Sequence, residues 1–201
     1  MKWLTDVLAM FTQIFRWPEI EPKPDTPKRT LAWGNKVSAE FRAMVFQICA
    51  ALGIEPDYLM ACIAWESAET FRPDIKNMAG SGATGLIQFM PPTAIGLKTT
   101  VEKLAAMSAV EQLAYVQKYF QPYKGRLKTL SDVYMAILWP AAIGKPEAYV
   151  LWEKASKPTT YRQNIGLDIN KDEAITKAEA AAKVQAKLAR GRTQQFLWVG
   201  P

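Results

Sequence analysis

Apolar residues recur at helical spacing along most of the chain. In segment 38–53, SAEFRAMVFQICAALG, they return every three or four positions until a glycine ends the pattern. Four other segments show this spacing: 56–69 (PDYLMACIAWESAE), 108–120 (SAVEQLAYVQKYF), 131–139 (SDVYMAILW) and 176–190 (TKAEAAAKVQAKLAR). No segment alternates like a convincing strand and none is repeated, so the sequence predicts a mainly α fold.

Polar residues at the segment starts predict where several of these helices begin. Asp57 is placed to cap the second helix. Ser108 with Glu111, and Thr176 with Glu179, have the spacing of capping boxes, in which two side chains satisfy the first free backbone N–H groups of a helix.

The first seventeen residues, MKWLTDVLAMFTQIFRW, carry a continuous apolar stripe at helical spacing. The stretch is too short for a membrane span and contains Asp6, and it lacks the apolar centre and small-residue cleavage site of a secretory signal. We therefore expect an amphipathic helix over residues 1–17. It either docks on a membrane surface or a partner protein, or folds back onto the domain.

A proline-rich stretch separates this helix from the remainder. Prolines at positions 18, 22, 24 and 27 predict a semi-rigid, extended linker over residues 18–30. We expect a helical domain over residues 31–165, followed by a loop of calcium-binding type and a last helix over residues 166–201.

The chain carries 25 basic and 19 acidic side chains, a net charge of +6, and no histidine. The charge favours a polyanionic partner: nucleic acid, an anionic membrane surface or an acidic cell-wall polymer. No run of five or six basic residues is present, so we expect no nucleic-acid partner. Without histidine, His-centred triads and HExxH zinc sites are excluded, and proton transfer falls to carboxylates, Tyr, Lys or Cys.

Glu66 stands in an otherwise apolar helix. It shares a face with Leu59, Cys62 and Ile63, which precede it by seven, four and three residues. Burial there disfavours the charged carboxylate and should raise its pKa, which suits a general acid near neutral pH. The alternative is a structural charge at a helix end that reaches water or a basic partner such as Arg72.

A glycine-rich stretch, GSGATGLIQFMPPTA, follows at residues 80–94. Gly80, Gly82 and Gly85 allow positive φ angles and a close approach of backbone to a ligand. No GK[ST] ending is present, so this is not a phosphate-binding loop.

Together, the ES pair at 66–67 and GATGLIQFMPPTA at 82–94 resemble the two first motifs of the lytic transglycosylase family, which has the soluble-transglycosylase or goose-type-lysozyme-like fold. The resemblance covers roughly residues 35–165 and implies a lysozyme-like helical domain with Glu66 as sole catalytic acid/base. The substrate-binding residues that it implies are Ser67, Gly85, Gln88, Phe89 and Tyr161. For Ser67, a simple role at the helix end is an equal alternative.

The third family motif, an Ala-Tyr-Asn-x-Gly run, is replaced by MAILWPAAIG at residues 135–144. No Asn is present, and Trp139 and Pro140 stand instead of the usual polar contact. This departure resembles a phage-type variant. YRQN, at residues 161–164, lies where the family often has a Tyr that reaches the cleft, which is the reason for choosing Tyr161.

By resemblance, the reaction cleaves peptidoglycan between N-acetylmuramic acid and N-acetylglucosamine with one carboxyl and forms a 1,6-anhydro product. Glu69 projects from the same helix as Glu66, and nothing in the sequence places Asp74 opposite, so no second carboxylate is evident. The alternatives are a hydrolytic muramidase on the same fold and a non-catalytic wall-binding or virion structural protein.

Residues 168–179, DINKDEAITKAE, fit the ligand spacing of an EF-hand loop. The ligands would be Asp168, Asn170, Asp172, Ala174 through its carbonyl, Thr176 and Glu179. Glu173 replaces the usual glycine, and a positive φ there costs on the order of 1 kcal/mol. The sequence thus predicts a structural Ca²⁺ but no cofactor for catalysis; the alternative is a polar turn that only caps the last helix.

The expected partner is therefore the peptidoglycan glycan strand, with a membrane surface or a virion protein as a second partner through residues 1–17. We expect a phage-encoded protein that acts in the periplasm and cell wall of the host. It would arrive there either through a holin, as an endolysin, or within the virion.

Overall fold

The structure of the chain, a computed structural model, describes residues 28–77 and 80–200. Residues Thr30–Val199 form one compact unit. The predicted helix over residues 1–17, and the predicted linker up to residue 27, lie outside the described residues.

Helices dominate the described chain, which confirms the mainly α prediction. They are α1 (Ala39–Leu52), α2 (Pro56–Glu66), α3 (Pro91–Gly96), α4 (Val101–Ala105), α5 (Ala109–Phe120), α6 (Leu130–Leu138), α7 (Pro158–Gln163) and α8 (Lys177–Gly191).

The described residues also form four short strands, which the sequence did not predict: β1 (Arg29–Leu31), β2 (Val150–Glu153), β3 (Ala174–Thr176) and β4 (Trp198–Gly200). β1 pairs with β4, and β2 pairs antiparallel with β3. Each strand has only three or four residues, too few for alternation to become visible in the sequence.

The predicted capping boxes are confirmed at the starts of α5 and α8. The Ser108 and Thr176 hydroxyls accept hydrogen bonds from the backbone N–H groups of Glu111 and Glu179, whose carboxylates bond back to the cap residues. The Asp57 prediction is wrong. α2 begins one residue earlier, at a proline, because proline has no N–H to satisfy and its φ angle suits the first helical turn.

Asp57 instead joins distant parts of the chain. Its carboxylate accepts hydrogen bonds from the Ala32 backbone N–H (2.8 Å) and from the Arg192 guanidinium (2.8 Å), and the residue is buried. The sequence pattern could not reveal this, since Arg192 lies 135 positions away.

α2 lies at the centre of the core and is buried on all sides along most of its length. Its fully covered side chains are Leu59, Met60, Ala61, Cys62, Ile63 and Ala64. A helix that is apolar all round requires neighbours on every side, which α1, α6 and α8 supply. Among the described residues, no single helix is long and apolar enough to cross a membrane. α1 and α2 taken together would reach the required length and apolarity, but a bend of 118° separates them.

Candidate active site

Glu66 is the last residue of α2, where the buried helix reaches the edge of the core. Its side chain is half-buried, and desolvation raises the pKa of its carboxyl to about 7, which confirms the direction expected from the sequence. A carboxyl with this pKa is protonated in a large share of molecules at neutral pH. Its carboxylate form remains readily accessible, so the group can both donate and accept a proton.

Three uncharged side chains, Cys62, Tyr119 and Tyr134, lie near enough to Glu66 to interact with its charge. Its negative charge contributes, after burial, to raising the pKa values of Cys62 and Tyr134, and it adds a smaller contribution at Tyr119. No hydrogen bond or ion pair to its carboxyl is found among the residues that the structure describes. Arg72, the partner that a structural role would have used, pairs with Asp74 instead (2.6 Å).

Aromatic side chains from three helices frame this corner. The Trp65 indole N–H donates to the Tyr134 hydroxyl (3.1 Å), and the Tyr119 hydroxyl donates to the Ala136 carbonyl (2.8 Å). The rings of Phe89 and Tyr119 meet edge to face at 6.1 Å. These contacts fix α5 and α6 against the end of α2 and keep the surroundings of Glu66 poor in charge.

Ser67 follows Glu66 and is fully buried. Its hydroxyl accepts a hydrogen bond from the Phe71 backbone N–H (3.1 Å), and its carbonyl accepts one from the Thr70 hydroxyl (2.6 Å). The structure thus places Ser67 in the turn that ends α2, as in the helix-end alternative considered for it.

The glycine-rich loop folds back on itself beside this site. Gly80, Gly82 and Gly85 all have positive φ angles, as expected. Gly85 has a second constraint: a Cβ atom there would lie 2.4 Å from the Gln112 side-chain oxygen, so a larger residue would displace the Gln112 amide from its position.

Gln112 holds this loop in place, a role that was not predicted from the sequence. Its side-chain oxygen accepts from the Leu86 backbone N–H (2.7 Å), and its amide group donates to the carbonyls of Pro73 and Leu104. The sequence shows only that Gln112 precedes Val116 by four residues on the apolar face of α5, which does not identify its partner; the structure shows that it is fully buried. A buried amide requires partners, and here the loop backbone provides them.

Gln88 lies at the tip of this loop in a left-handed conformation (φ 52°) and is half-buried. Its side-chain amide donates to the carbonyls of Ile75 (3.2 Å) and Gly85 (3.1 Å). Both amide protons are thus engaged by backbone carbonyls, and the side-chain oxygen is the atom that remains to accept a hydrogen bond from a ligand.

Two other predicted substrate-binding residues are buried. Phe89 is 2% exposed and packs against Tyr119 beneath the loop. Tyr161 is 5% exposed, and its hydroxyl donates to the Asp168 carboxylate (2.6 Å). In the described arrangement, Phe89 supports the loop from the core, and Tyr161 contacts the predicted calcium loop.

The two other acids considered for catalysis are both engaged. Glu69 accepts a hydrogen bond from Lys187 and pairs with Arg190 (3.3 Å). The Arg72 guanidinium donates through Nε and Nη2 to the two carboxylate oxygens of Asp74. The hydrogen bond from Arg72 keeps the pKa of Asp74 below its usual range. Both carboxylates are thus bound by cations, which opposes their use as the second group of a paired-acid site.

The predicted calcium loop is closed by its own hydrogen bonds. Asp168 accepts from the N–H groups of Lys171 (2.7 Å) and Glu173 (3.1 Å), and Lys171 and Glu173 both have positive φ angles. Glu179 accepts from Asn170 and from the Thr176 cap. The donor set has the oxygen chemistry of a calcium site, but within the described residues no three acidic, His or Cys side chains converge to hold a metal.

The comparison with protein families matches the part of the chain that forms this site. Residues 44–136 match the transglycosylase SLT domain. They run from α1 to α6 and contain Glu66, the glycine-rich loop and Gln112, whereas α7, α8 and the calcium-like loop lie outside the match. No curated protein matched the chain.

The matched domain supports a lysozyme-like helical fold and a lytic transglycosylase-like action on peptidoglycan. Residues 44–136 therefore carry a transglycosylase SLT domain, and this match supports the lytic transglycosylase family for that part of the chain.

Proposed function

We propose that this protein is a peptidoglycan lytic transglycosylase in which Glu66 is the only acid/base. The observation that carries the proposal is the half-buried Glu66 carboxyl with a pKa of about 7, in a setting where the neighbouring acids Glu69 and Asp74 are engaged by cations. One carboxyl that titrates near neutral pH can perform both proton transfers of the reaction.

In the first step, protonated Glu66 gives its proton to the glycosidic oxygen between N-acetylmuramic acid and N-acetylglucosamine. The bond from C1 to that oxygen breaks, the N-acetylglucosamine side leaves as an alcohol, and the substrate's acetamido oxygen stabilises C1. In the second step, the Glu66 carboxylate takes the proton of the muramoyl 6-hydroxyl while that oxygen bonds to C1. The 1,6-anhydro ring closes, Glu66 is protonated again, and no water is consumed.

A hydrolytic muramidase on the same fold is the second candidate, with water in place of the 6-hydroxyl. The pairing of Glu69 with Lys187 and Arg190, and of Asp74 with Arg72, favours the transglycosylase, because neither acid is available to activate a water. A non-catalytic role is disfavoured by the energetic cost of keeping Glu66 in desolvated surroundings.

The products distinguish these functions. We expect mass spectrometry of fragments released from purified peptidoglycan to show muropeptides lighter by one water than hydrolytic ones, with anhydromuramoyl ends. Reducing muramoyl ends would establish a muramidase and refute ring closure by the 6-hydroxyl. Binding to the wall with no released fragments would establish a non-catalytic wall-binding protein.

We further propose that the protein is phage-encoded and acts on the host cell wall, as an endolysin released through a holin or as an enzyme carried in the virion. The departure of residues 135–144 from the third family motif supports this proposal. Residues 1–17 would then serve as the attachment segment for a membrane surface or a virion protein. Mass spectrometry of purified virions tests the second route: finding the chain there supports carriage, and its absence favours the endolysin.

We also propose that the loop 168–179 binds Ca²⁺ as a structural ion, because its oxygen donors have the required spacing. Millimolar Ca²⁺ should then raise the Tm by a few degrees, since a ligand that binds only the folded state stabilises it. Differential scanning fluorimetry with Mg²⁺ as the control ion measures the shift, and Asp172→Asn should diminish it. If Ca²⁺ leaves the Tm unchanged, the loop is only the cap of α8.

A further inference from the structure

The chain is strained directly after Glu66. Ala68, Glu69 and Phe71 have φ angles of 50°, 62° and 54°, in the left-handed region that residues other than glycine seldom occupy. Each such residue costs on the order of 1 kcal/mol. Three of them within four positions persist only where the surroundings impose the conformation, so this turn requires an external support.

The support comes from α8. Lys187 donates to one oxygen of the Glu69 carboxylate, and Arg190 pairs with the other at 3.3 Å. The Glu69 side chain is only 18% exposed, so solvent screens these pairs less than it would on an open surface. The Glu69 backbone N–H donates to the Ala64 carbonyl (2.7 Å), which joins the turn to the last part of α2.

α8 is itself held in place by contacts at Lys187 and Arg190. The Trp33 indole N–H donates to the Lys187 carbonyl (2.9 Å), and Arg190 lies 5.8 Å from the centre of the Trp33 ring. The Trp33 ring is fully buried and comes so close to Gly191 that a Cβ atom there would lie 2.4 Å from it. Phe71, the last strained residue of the turn, packs against the same ring at 6.0 Å.

We propose that Lys187 and Arg190 are positioning residues for Glu66. By binding Glu69, three residues after Glu66, they hold the turn that ends α2 and thereby fix the direction in which the Glu66 carboxyl points. The inference rests on the proposed function, and it extends the working parts of the enzyme to a helix outside the matched residues 44–136.

The test is Lys187→Met, which keeps the aliphatic chain and removes the ammonium. A misplacement of a reacting group by about 1 Å can lower a rate on the order of 100-fold. We expect kcat on soluble glycan strands to fall about 10- to 100-fold, with KM changed by less than about twofold, because substrate contacts elsewhere remain. Lys187→Arg, which retains the charge and can still donate to Glu69, should restore most of kcat.

Lys183→Met is the matched control. Lys183 is exposed on the same helix, one turn before Lys187, and does not bind Glu69. The kcat and KM of this variant should therefore equal those of the wild type. Arg190→Met is the second variant. Its side chain is 56% exposed, so it should fold even if Lys187→Met does not, and it should show a smaller loss of kcat in the same direction.

All rates are measured well below the Tm of each variant, so that only folded protein is compared. Folded variants with a lower Tm but wild-type kcat would reduce the pair to structural support and overturn the proposal. Failure of Lys187→Arg to restore kcat would also overturn it. A wild-type protein that releases no anhydro products would refute the proposed function itself, which is a different result from active wild type with unaffected variants.

Discussion

Glu66→Gln should abolish the release of anhydromuropeptides while leaving the protein folded. Glutamine has nearly the same shape but neither donates an acidic proton nor accepts one as a base, so both steps of the proposed reaction fail. General acid–base catalysis contributes roughly 10²- to 10⁴-fold per proton transfer, and a loss on the order of 10³-fold or more is therefore expected. Turbidity loss of a peptidoglycan suspension and mass spectrometry of the soluble fraction measure it.

Glu55→Gln is the matched control, because Glu55 precedes the same helix, is exposed and makes no side-chain cap bond. It should retain wild-type activity. If Glu66→Gln retained more than a few per cent of the activity, another group would be the acid. Glu69 and Asp74 would be the first alternatives to test, although both are paired with cations.

The same substitution should stabilise the protein at alkaline pH. The folded-state pKa of Glu66, about 7, lies above its ordinary value of 4.5, so the wild type loses stability as the pH rises through this interval. The full effect is up to about 3 kcal/mol, and glutamine avoids it. We expect Glu66→Gln to melt several degrees above the wild type at pH 8 and to gain much less at pH 5. Equal Tm differences at both pH values would contradict the desolvation of this carboxyl.

The features of the site that follow from local chemistry were predictable from the sequence. Glu66 lies on an apolar helical face, and this position alone indicated a raised pKa. The left-handed glycines of the loop and both capping boxes depend on residues only a few positions apart. Such features are set by the period of the helix and by single-residue φ preferences, which a chain pattern records directly.

The polar contacts between distant elements were not predictable in this way. Asp57 has the pattern of an N-cap but binds Arg192, and Gln112 resembles any helical glutamine but holds the loop around Gly85. Tyr161 resembles a cleft residue, yet its hydroxyl binds Asp168. Each of these pairs satisfies a buried or half-buried polar group, and the choice of partner depends on how helices pack, which no periodicity along the chain specifies.

The most consequential of these contacts is the ion pair between Lys177 and Asp132. The side chains are 2% and 5% exposed, and the Lys177 ammonium donates to the Asp132 carboxylate (2.6 Å) and to the Lys145 carbonyl (2.8 Å). Burial raises the pKa of Asp132, but the bonds from Lys177 and from the Gly144 backbone N–H outweigh it, so the pKa lies below its ordinary value. A lysine at the first position of α8 is unfavourable for the helix dipole, and Asp132 accounts for its presence there.

Lys177→Met should accordingly destabilise the fold by roughly 3–5 kcal/mol, because it leaves the Asp132 carboxylate buried without its cation. For a domain of this size each kcal/mol lowers the Tm by about 2–4 °C, so a drop of at least about 6 °C is expected in thermal and urea denaturation. Lys183→Met, an exposed position on the same helix, should change the Tm little.

Adding Asp132→Asn to Lys177→Met should recover part of the loss, since asparagine removes the buried charge and keeps an oxygen for the Gly144 N–H. A loss below about 1 kcal/mol for Lys177→Met would mean that water solvates Asp132 and that the pair contributes as little as a surface ion pair. Because Asp132 lies on α6 with Tyr134, and Lys177 begins the helix that carries Lys187, the pair joins the two helices that meet the end of α2. A destabilised α8 should then lower the activity of Lys177→Met at temperatures at which the wild type is still folded and active.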